Sequence, residues 1–360
     1  MKIALIARPF VFHGGVERAT AGLLDALVAR GHDLHLISPG AAVAPAGVTL
    51  HRLPQPRLPA TARVLALAAL AARAVASGRW DVVQSHERTL RQHVYRAGEG
   101  CHRAYLASGV ASRSRMIYDR VVQALEARVF AGTPHIVAIA RRGQREIEGL
   151  FGLRAPRVTV IYNGVDLERF HPEQAAAYRR PARAEAGLND DDRVLLFAGS
   201  GFERKGLATA IEALPRLGQA RLIVVGRGDE TRYRRHAARL GVSDRIHWLG
   251  PRRDLDRWYG ASDVVVLPTR YEPFGNVHLE ALASGVPVVT TTAAGGAEVV
   301  EEGKNGSVIA PDDSGALAAA VQRLVAENRN ALAQAARGAA EPFTWPRQAE
   351  AFERLYREIP

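Results

Sequence analysis

Two glutamates, Glu272 and Glu280, stand eight positions apart in the stretch YEPFGNVHLEALASG, residues 271–285. Glu272 precedes Pro273, and a residue before proline is biased away from the α region, so it belongs to a loop. Asn276 can cap a helix that follows, with Val277, Leu279, Leu282 and Ala283 as its buried stripe. Gly285, with Pro287 beyond it, reads as the stop. Upstream, DVVVLP (263–268) is a continuous apolar run, as expected of a strand buried on both faces. Gly275 and Asn276 then open a helix at the end of a strand, and its free N–H groups point where a phosphate could sit.

A second unit of this kind is AGSGFERKGLATAIEAL, with Gly199, Gly201 and Gly206. The third glycine falls five residues after the second, which does not fit the dinucleotide fingerprint, and Lys205 precedes that glycine, which does not fit the Walker A loop. Arg204 and Lys205 at a helix start oppose the helix dipole, which disfavours a purely structural purpose and favours a polyanion site. Lys205 stands out further, since only Lys2, Lys205 and Lys304 among the 48 basic residues are lysines. A glycine pair, Gly14 and Gly15, follows the first strand in RPFVFHGGVERA. GRGD (226–229) reads mainly as a loop, Gly295 and Gly296 as possible lining, and Lys304 as a surface residue.

The elements that must position these groups alternate strand and helix. Strands are expected at KIALIA, LHLIS, VTLHRL, DVVQSH, HIVAIA and RVTVIY in the first half. The second half offers RVLLFAG, ARLIVVG, RIHWLG, DVVVLP and VPVVTT. Helical patterns cover about 16–30, 61–77, 114–130 and 140–150, then start near 205, 230, 254 and 276. This is the pattern of parallel α/β sheets covered on both faces, set out twice. The segment 163–192 reads as a pause between the two sets, and a last helix carries Ala349, Phe352, Leu355 and Ile359 on one face. Ligands of such sheets bind beyond the carboxyl ends of the strands.

Composition removes other classes. One cysteine, Cys101, excludes an internal disulfide, and the twelve histidines offer no helical pair for zinc. Asp254 in DLD is an expected N-cap rather than a metal ligand. The apolar run 64–72 is too short to span a bilayer, and the N-terminus has no secretory pattern, which predicts a cytoplasmic location. The net charge of +11 suits an anionic partner, and no nucleic-acid-binding signature is present.

Taken in order, the first glycine pair, GSGFERKG, YEPFGNVHLEA and GGAEVVEEGKNG resemble the family 4 glycosyltransferases of the GT-B fold, with a likeness to bacterial lipopolysaccharide core transferases. The resemblance spans nearly the whole chain and implies two doubly wound, Rossmann-like domains facing each other across a cleft. An acceptor-binding domain over 1–165, a nucleotide-sugar-binding domain over 166–345 and a helix over 346–360 crossing back to the first domain are expected. Glu272 would meet hydroxyls of the donor sugar and Glu280 those of the ribose, since a carboxylate accepts from two vicinal hydroxyls. Arg204 and Lys205, with the amides of Phe274, Gly275 and Asn276 and with Gly201 nearby, would neutralise the diphosphate, and Gly15, with Gly14 beside it, would offer its amide to the distal phosphate. The family's third site residue falls in VYRAGEGCHRAY, where Glu99 matches best and His102 is the rival.

The implied reaction is transfer of a hexose from a nucleotide diphosphate sugar, UDP-sugar by preference, with retention and without metal or cofactor. The acceptor is a glycan or glycolipid of the cell envelope. An epimerase or hydrolase on the same fold, or a non-catalytic nucleotide-sugar-binding protein, is the alternative. The segment 112–130 reads as an amphipathic helix with Met116, Ile117, Val121, Val122, Leu125 and Val129 beside Arg113, Arg115, Arg120 and Arg128. It packs into its own domain or rests peripherally on an anionic membrane.

Overall fold

The computed structural model describes residues 1–9, 15–40, 42–110 and 115–360, which form two compact units. One comprises Met1–Gly164 with Trp345–Pro360, the other Val165–Thr344.

In the first unit the strands are β1 (Lys2–Ile6), β2 (Asp33–Pro39), β3 (Val48–Leu53), β4 (Val82–Ser85), β5 (Val94–Ala97), β6 (His135–Ala138) and β7 (Val158–Val160). They form a parallel sheet in the order β3-β2-β1-β4-β5-β6-β7 among the described residues. Helices α1 (Gly15–Ala29), α2 (Ala60–Ala76), α3 (His102–Ala107), α4 (Met116–Gly132) and α5 (Arg141–Phe151) connect them. Strand β5 and helix α3 are additions to the sequence reading. β5 is short and carries a fully buried arginine, Arg96, whose guanidinium donates to Asn163, so no apolar run announces it.

The second unit holds β8 (Val194–Ala198), β9 (Arg221–Val225), β10 (Ile246–Gly250), β11 (Val264–Leu267), β12 (Val288–Thr291) and β13 (Gly306–Ile309). Their order is β10-β9-β8-β11-β12-β13, again parallel. β8, β11 and β12 are buried at every position, because helices cover both faces. The helices are α6 (Pro172–Glu185), α7 (Leu207–Ala213), α8 (Glu230–Arg239), α9 (Leu255–Ala261), α10 (Val277–Ala283), α11 (Ser314–Ala326) and α12 (Arg329–Ala340).

Helix α6 corrects the reading of 163–192 as a pause. It packs on α9, and its buried Arg183 donates to the carbonyls of Ala261, Asn189, Asp190 and Asp192 and to the Asp263 carboxylate. The aspartate run at 190–192 is thus fastened to this unit.

The last helix, α13 (Trp345–Tyr356), belongs to the first unit. Ala349, Phe352 and Leu355 join the core there, Tyr356 Oη donates to Gln84 Oε1 at 2.6 Å, and Arg30 clasps Glu353 through Nε at 2.7 Å and Nη2 at 2.6 Å. No helix among the described residues is long and apolar enough to cross a membrane.

Candidate active site

In the second unit the strand order reverses between β8 and β11, the position beyond whose carboxyl ends ligands of such sheets bind. Arg204 and Lys205 lie on the first loop, Glu272 on the second. Arg204 Nη1 donates to Glu272 Oε2 at 2.8 Å and to the Tyr271 carbonyl at 2.9 Å. Lys205 Nζ pairs with the same Glu272 Oε2. The Arg204 carbonyl accepts from Arg270 N–H and Thr269 Oγ1, both at 2.9 Å, which stitches the two loops together.

Lys205 and Glu272 are both buried. Burial opposes the charge on Glu272, but Lys205 and Arg204 outweigh it and hold the carboxyl down to about 2. Burial likewise draws Lys205 below the usual lysine range, and Glu272 offsets part of that. The sequence reading gave the cations no structural partner; the fold supplies one in the carboxylate assigned to the sugar.

Glu280 is buried on α10 and accepts from Tyr259 Oη at 2.8 Å. Tyr259, on α9, was absent from the sequence reading and has no local signal there, being 21 positions away. Helix α10 is buried on more than one stripe: His278, Glu280 and Ala281 are as covered as Leu279 and Leu282, whereas Val277 is half-buried. Asn276 occupies the N-cap position but with helical angles and no side-chain cap. The left-handed turn is made at Gly275, so Asn276 directly after it already has helical angles, and the expected cap is corrected to a positional one. Asp254 is likewise an N-cap without a cap bond, its carboxylate being taken by Arg252 Nε at 2.9 Å. Phe274 is fully buried and Gly201 is exposed on the loop after β8. Lys304 is a surface residue paired with Glu301.

In the first unit the order reverses between β1 and β4. Arg8 follows β1; its Nε donates to Glu87 Oε1 at 2.8 Å and its Nη2 to Glu99 Oε1 at 2.6 Å. Arg88 Nη1 reaches Glu99 Oε2 at 3.2 Å. Desolvation works against the charge on Glu99, and Arg8 and Arg88 together bring its carboxyl below the ordinary range. His86 is neutral, pushed well down by burial, Arg96 and Arg8, and it links Thr20 to Gln84. His102, the rival of Glu99, turns its Nε2 to Asp119 Oδ1 at 3.0 Å on α4. Gly15 opens α1, while Gly14 and Arg113 lie outside the described residues.

Glu126, also unforeseen, is fully buried on α4. It accepts from the His102 amide at 2.7 Å, the Arg103 amide at 3.2 Å and Arg88 Nη2 at 3.3 Å, so it satisfies the start of α3 and fixes Arg88. Glu126→Ala strands these donors in the interior. Urea unfolding is expected to show a loss of about 3–5 kcal/mol. A loss within the error of the method would mean that these bonds contribute nothing.

Among the described residues no group of three or more histidine, cysteine or acidic side chains is arranged to hold a metal ion. Beyond the carboxyl ends of β8 and β11, two cations and two buried carboxylates thus stand on neighbouring loops and helix α10, groups whose chemistry suits anionic oxygens and hydroxyls respectively.

Comparison with known proteins decides the family. The pattern described as Glycosyl transferases group 1 matches residues 192–327, and that of Glycosyltransferase Family 4 matches residues 13–169. A D-inositol 3-phosphate glycosyltransferase of Xylanimonas cellulosilytica is 34% identical over 296 residues, covering 78% of this chain and 68% of that protein. The chain belongs to glycosyltransferase family 4. This family 4 glycosyltransferase has the GT-B fold of WaaG, a glycosyltransferase involved in lipopolysaccharide biosynthesis, with a TM-score of 0.85 over 99% of both chains at 23% identity. Anabaena HepE in complex with UDP and glucose gives a TM-score of 0.78 over 100% of both chains at 21% identity.

Proposed function

We propose that this glycosyltransferase moves a hexose from a UDP-sugar to a glycan or glycolipid acceptor of the cell envelope, retaining the anomeric configuration and using no metal. The observation that carries this is the shared hold of Arg204 and Lys205 on Glu272. Without donor, one carboxylate balances two cations. A diphosphate brings more oxygens and more charge, so the cations turn to it and Glu272 is released to the sugar hydroxyls. Glu280, kept in place by Tyr259, takes the ribose hydroxyls.

Cleavage of the anomeric bond leaves both its electrons on the diphosphate oxygen, and fixed cations stabilise that growing charge as a metal does elsewhere. A non-bridging phosphate oxygen on the same face accepts the acceptor's proton as the new bond forms. The acceptor is assigned to the first unit, where Glu99 is held by Arg8 and Arg88 and His102 is tied to Asp119.

HepE with UDP and glucose supports the donor, and WaaG supports a lipopolysaccharide acceptor. The 34% identical inositol-phosphate enzyme favours a second reading, a phosphorylated cyclitol acceptor. Incubation with UDP-glucose in EDTA, with lipopolysaccharide core or with inositol 3-phosphate, separates the two. The expected product keeps the donor's anomeric configuration by proton coupling. An inverted product, or activity lost to EDTA, contradicts the mechanism.

The same reading places the enzyme at the inner face of the cytoplasmic membrane. Leu125 and Val129 of α4 are buried in the core, whereas Arg115, Met116, Ile117 and Arg120 are exposed at its first turns. The lipid contact is therefore narrower than the whole segment 112–130. Each arginine near an anionic surface contributes about 1 kcal/mol. Sedimentation with anionic vesicles is expected, lost at high salt and weakened by Arg115→Glu with Arg120→Glu. Equal binding to neutral vesicles contradicts it.

A further inference from the structure

His278 is buried on the side of α10 that faces the 272–276 loop, and no step of the reaction above uses it. Its Nδ1 lies 2.7 Å from the Gly275 carbonyl and its Nε2 lies 2.8 Å from Thr290 Oγ1 on β12. A carbonyl only accepts, so Nδ1 carries the proton. Burial pushes the ring's pKa down to about 4, so the ring is neutral and Nε2 accepts from the threonine hydroxyl. The imidazole is a strut between the inner strand β12 and the loop.

The loop is built tightly around that strut. Gly275 has φ 83°, and a Cβ there would lie 2.9 Å from His278 Nδ1 and 3.0 Å from Glu272 Cγ. The glycine is the thin spacer between the imidazole and the Glu272 side chain. Gly296 closes the other side: its amide donates to the Phe274 carbonyl at 2.9 Å, and a Cβ would run into the imidazole. The Glu272 backbone is paired at both ends, its amide to Ala293 O at 3.1 Å and its carbonyl to Gly295 N–H at 2.9 Å. The loop after β12 thus holds the Glu272 backbone directly, and the imidazole acts on the same loop through the Gly275 carbonyl.

We propose that His278 is a positioning residue for transfer, setting the height of the 272–275 loop so that Glu272 sits between Arg204 and Lys205 before donor arrives and meets the sugar afterwards. The first half of this statement concerns the geometry alone; the second rests on the function proposed above.

Three variants test it. His278→Leu removes both bonds at similar bulk. His278→Asn places an amide donor near the Nδ1 position and keeps the Gly275 link. His278→Gln reaches the Nε2 position and keeps only the Thr290 link. The first readout is the Glu272 side-chain carboxyl, titrated by carbon-13 NMR. In the unaltered protein and in His278→Asn it is expected to remain ionised down to the lowest pH at which the fold persists. In His278→Leu and His278→Gln it is expected to begin titrating in the ordinary carboxylate range. The second readout is UDP release from UDP-glucose at saturation, with UDP affinity measured separately. His278→Leu and His278→Gln are expected to lose at least about tenfold in kcat with UDP affinity within about threefold, and His278→Asn to recover most of the rate.

An unchanged Glu272 titration in His278→Leu overturns the proposal, and so does a His278→Asn variant no better than His278→Gln. If His278→Leu does not fold, the contrast between Asn and Gln decides. If the unaltered protein neither binds UDP nor consumes UDP-glucose, the proposed function fails, and the carboxyl titration still decides whether His278 positions Glu272.

Discussion

Replacing Arg204 and Lys205 together by alanine is expected to weaken UDP binding by roughly 100- to 10,000-fold. Each is a charge-assisted contact to a diphosphate, worth about 1.5–3 kcal/mol, and about 1.4 kcal/mol is a factor of ten. Among the described residues these are the two cations that pair with Glu272. The double change also leaves Glu272 buried without a counter-charge, so folding is checked first by circular dichroism. Arg204→Gln with Lys205→Met, which keep bulk, serve where alanine is too disruptive. Calorimetric titration in EDTA reads the affinity. A folded double variant that binds UDP as the unaltered protein does contradicts the assignment.

Glu272→Ala separates binding from turnover. The carboxylate neutralises the two cations that the diphosphate needs, so its removal is expected to leave UDP affinity equal or tighter. Transfer, which needs the carboxylate at the sugar, is expected to fall by roughly 100- to 1,000-fold, the scale of losing one preorganised polar group. The variant also loses stability with a defined pH dependence. The folded carboxyl titrates at about 2, below its ordinary value of 4.5. A depressed pKa stabilises the fold fully above the ordinary value, and the contribution is lost as pH falls through the folded one. The stability gap between the two proteins should therefore be widest at neutral pH and narrow from about pH 4.5 downward. A variant that loses UDP and keeps its rate reverses the roles given to these residues.

The sheets were legible because their central strands are unbroken apolar runs, as in VLLFA and VVVL. Glu272, Arg204 and Lys205 drew attention because each follows such a strand at a turn signal, and Glu280 through its spacing from Glu272. What escaped was polar matter inside the core. Arg96 interrupts β5, and α6 shows alanines, Pro181 and a buried Arg183 where a leucine stripe would announce a helix. Glu126 and Tyr259 act through partners distant in sequence, and His278 lies within an apolar run that a periodicity count passes over. Side-chain hydrogen bonds across elements leave no local trace, which is why the clasp of Glu272 on its two cations emerged only from the fold.

That clasp is the central claim, and a crystal structure with UDP-glucose bound tests it most directly. Arg204 and Lys205 are expected to have left Glu272 for the diphosphate oxygens, with the Glu272 carboxylate on sugar hydroxyls and Glu280 on the ribose. Glu272 still paired with both cations, and the diphosphate bound elsewhere, would contradict the account.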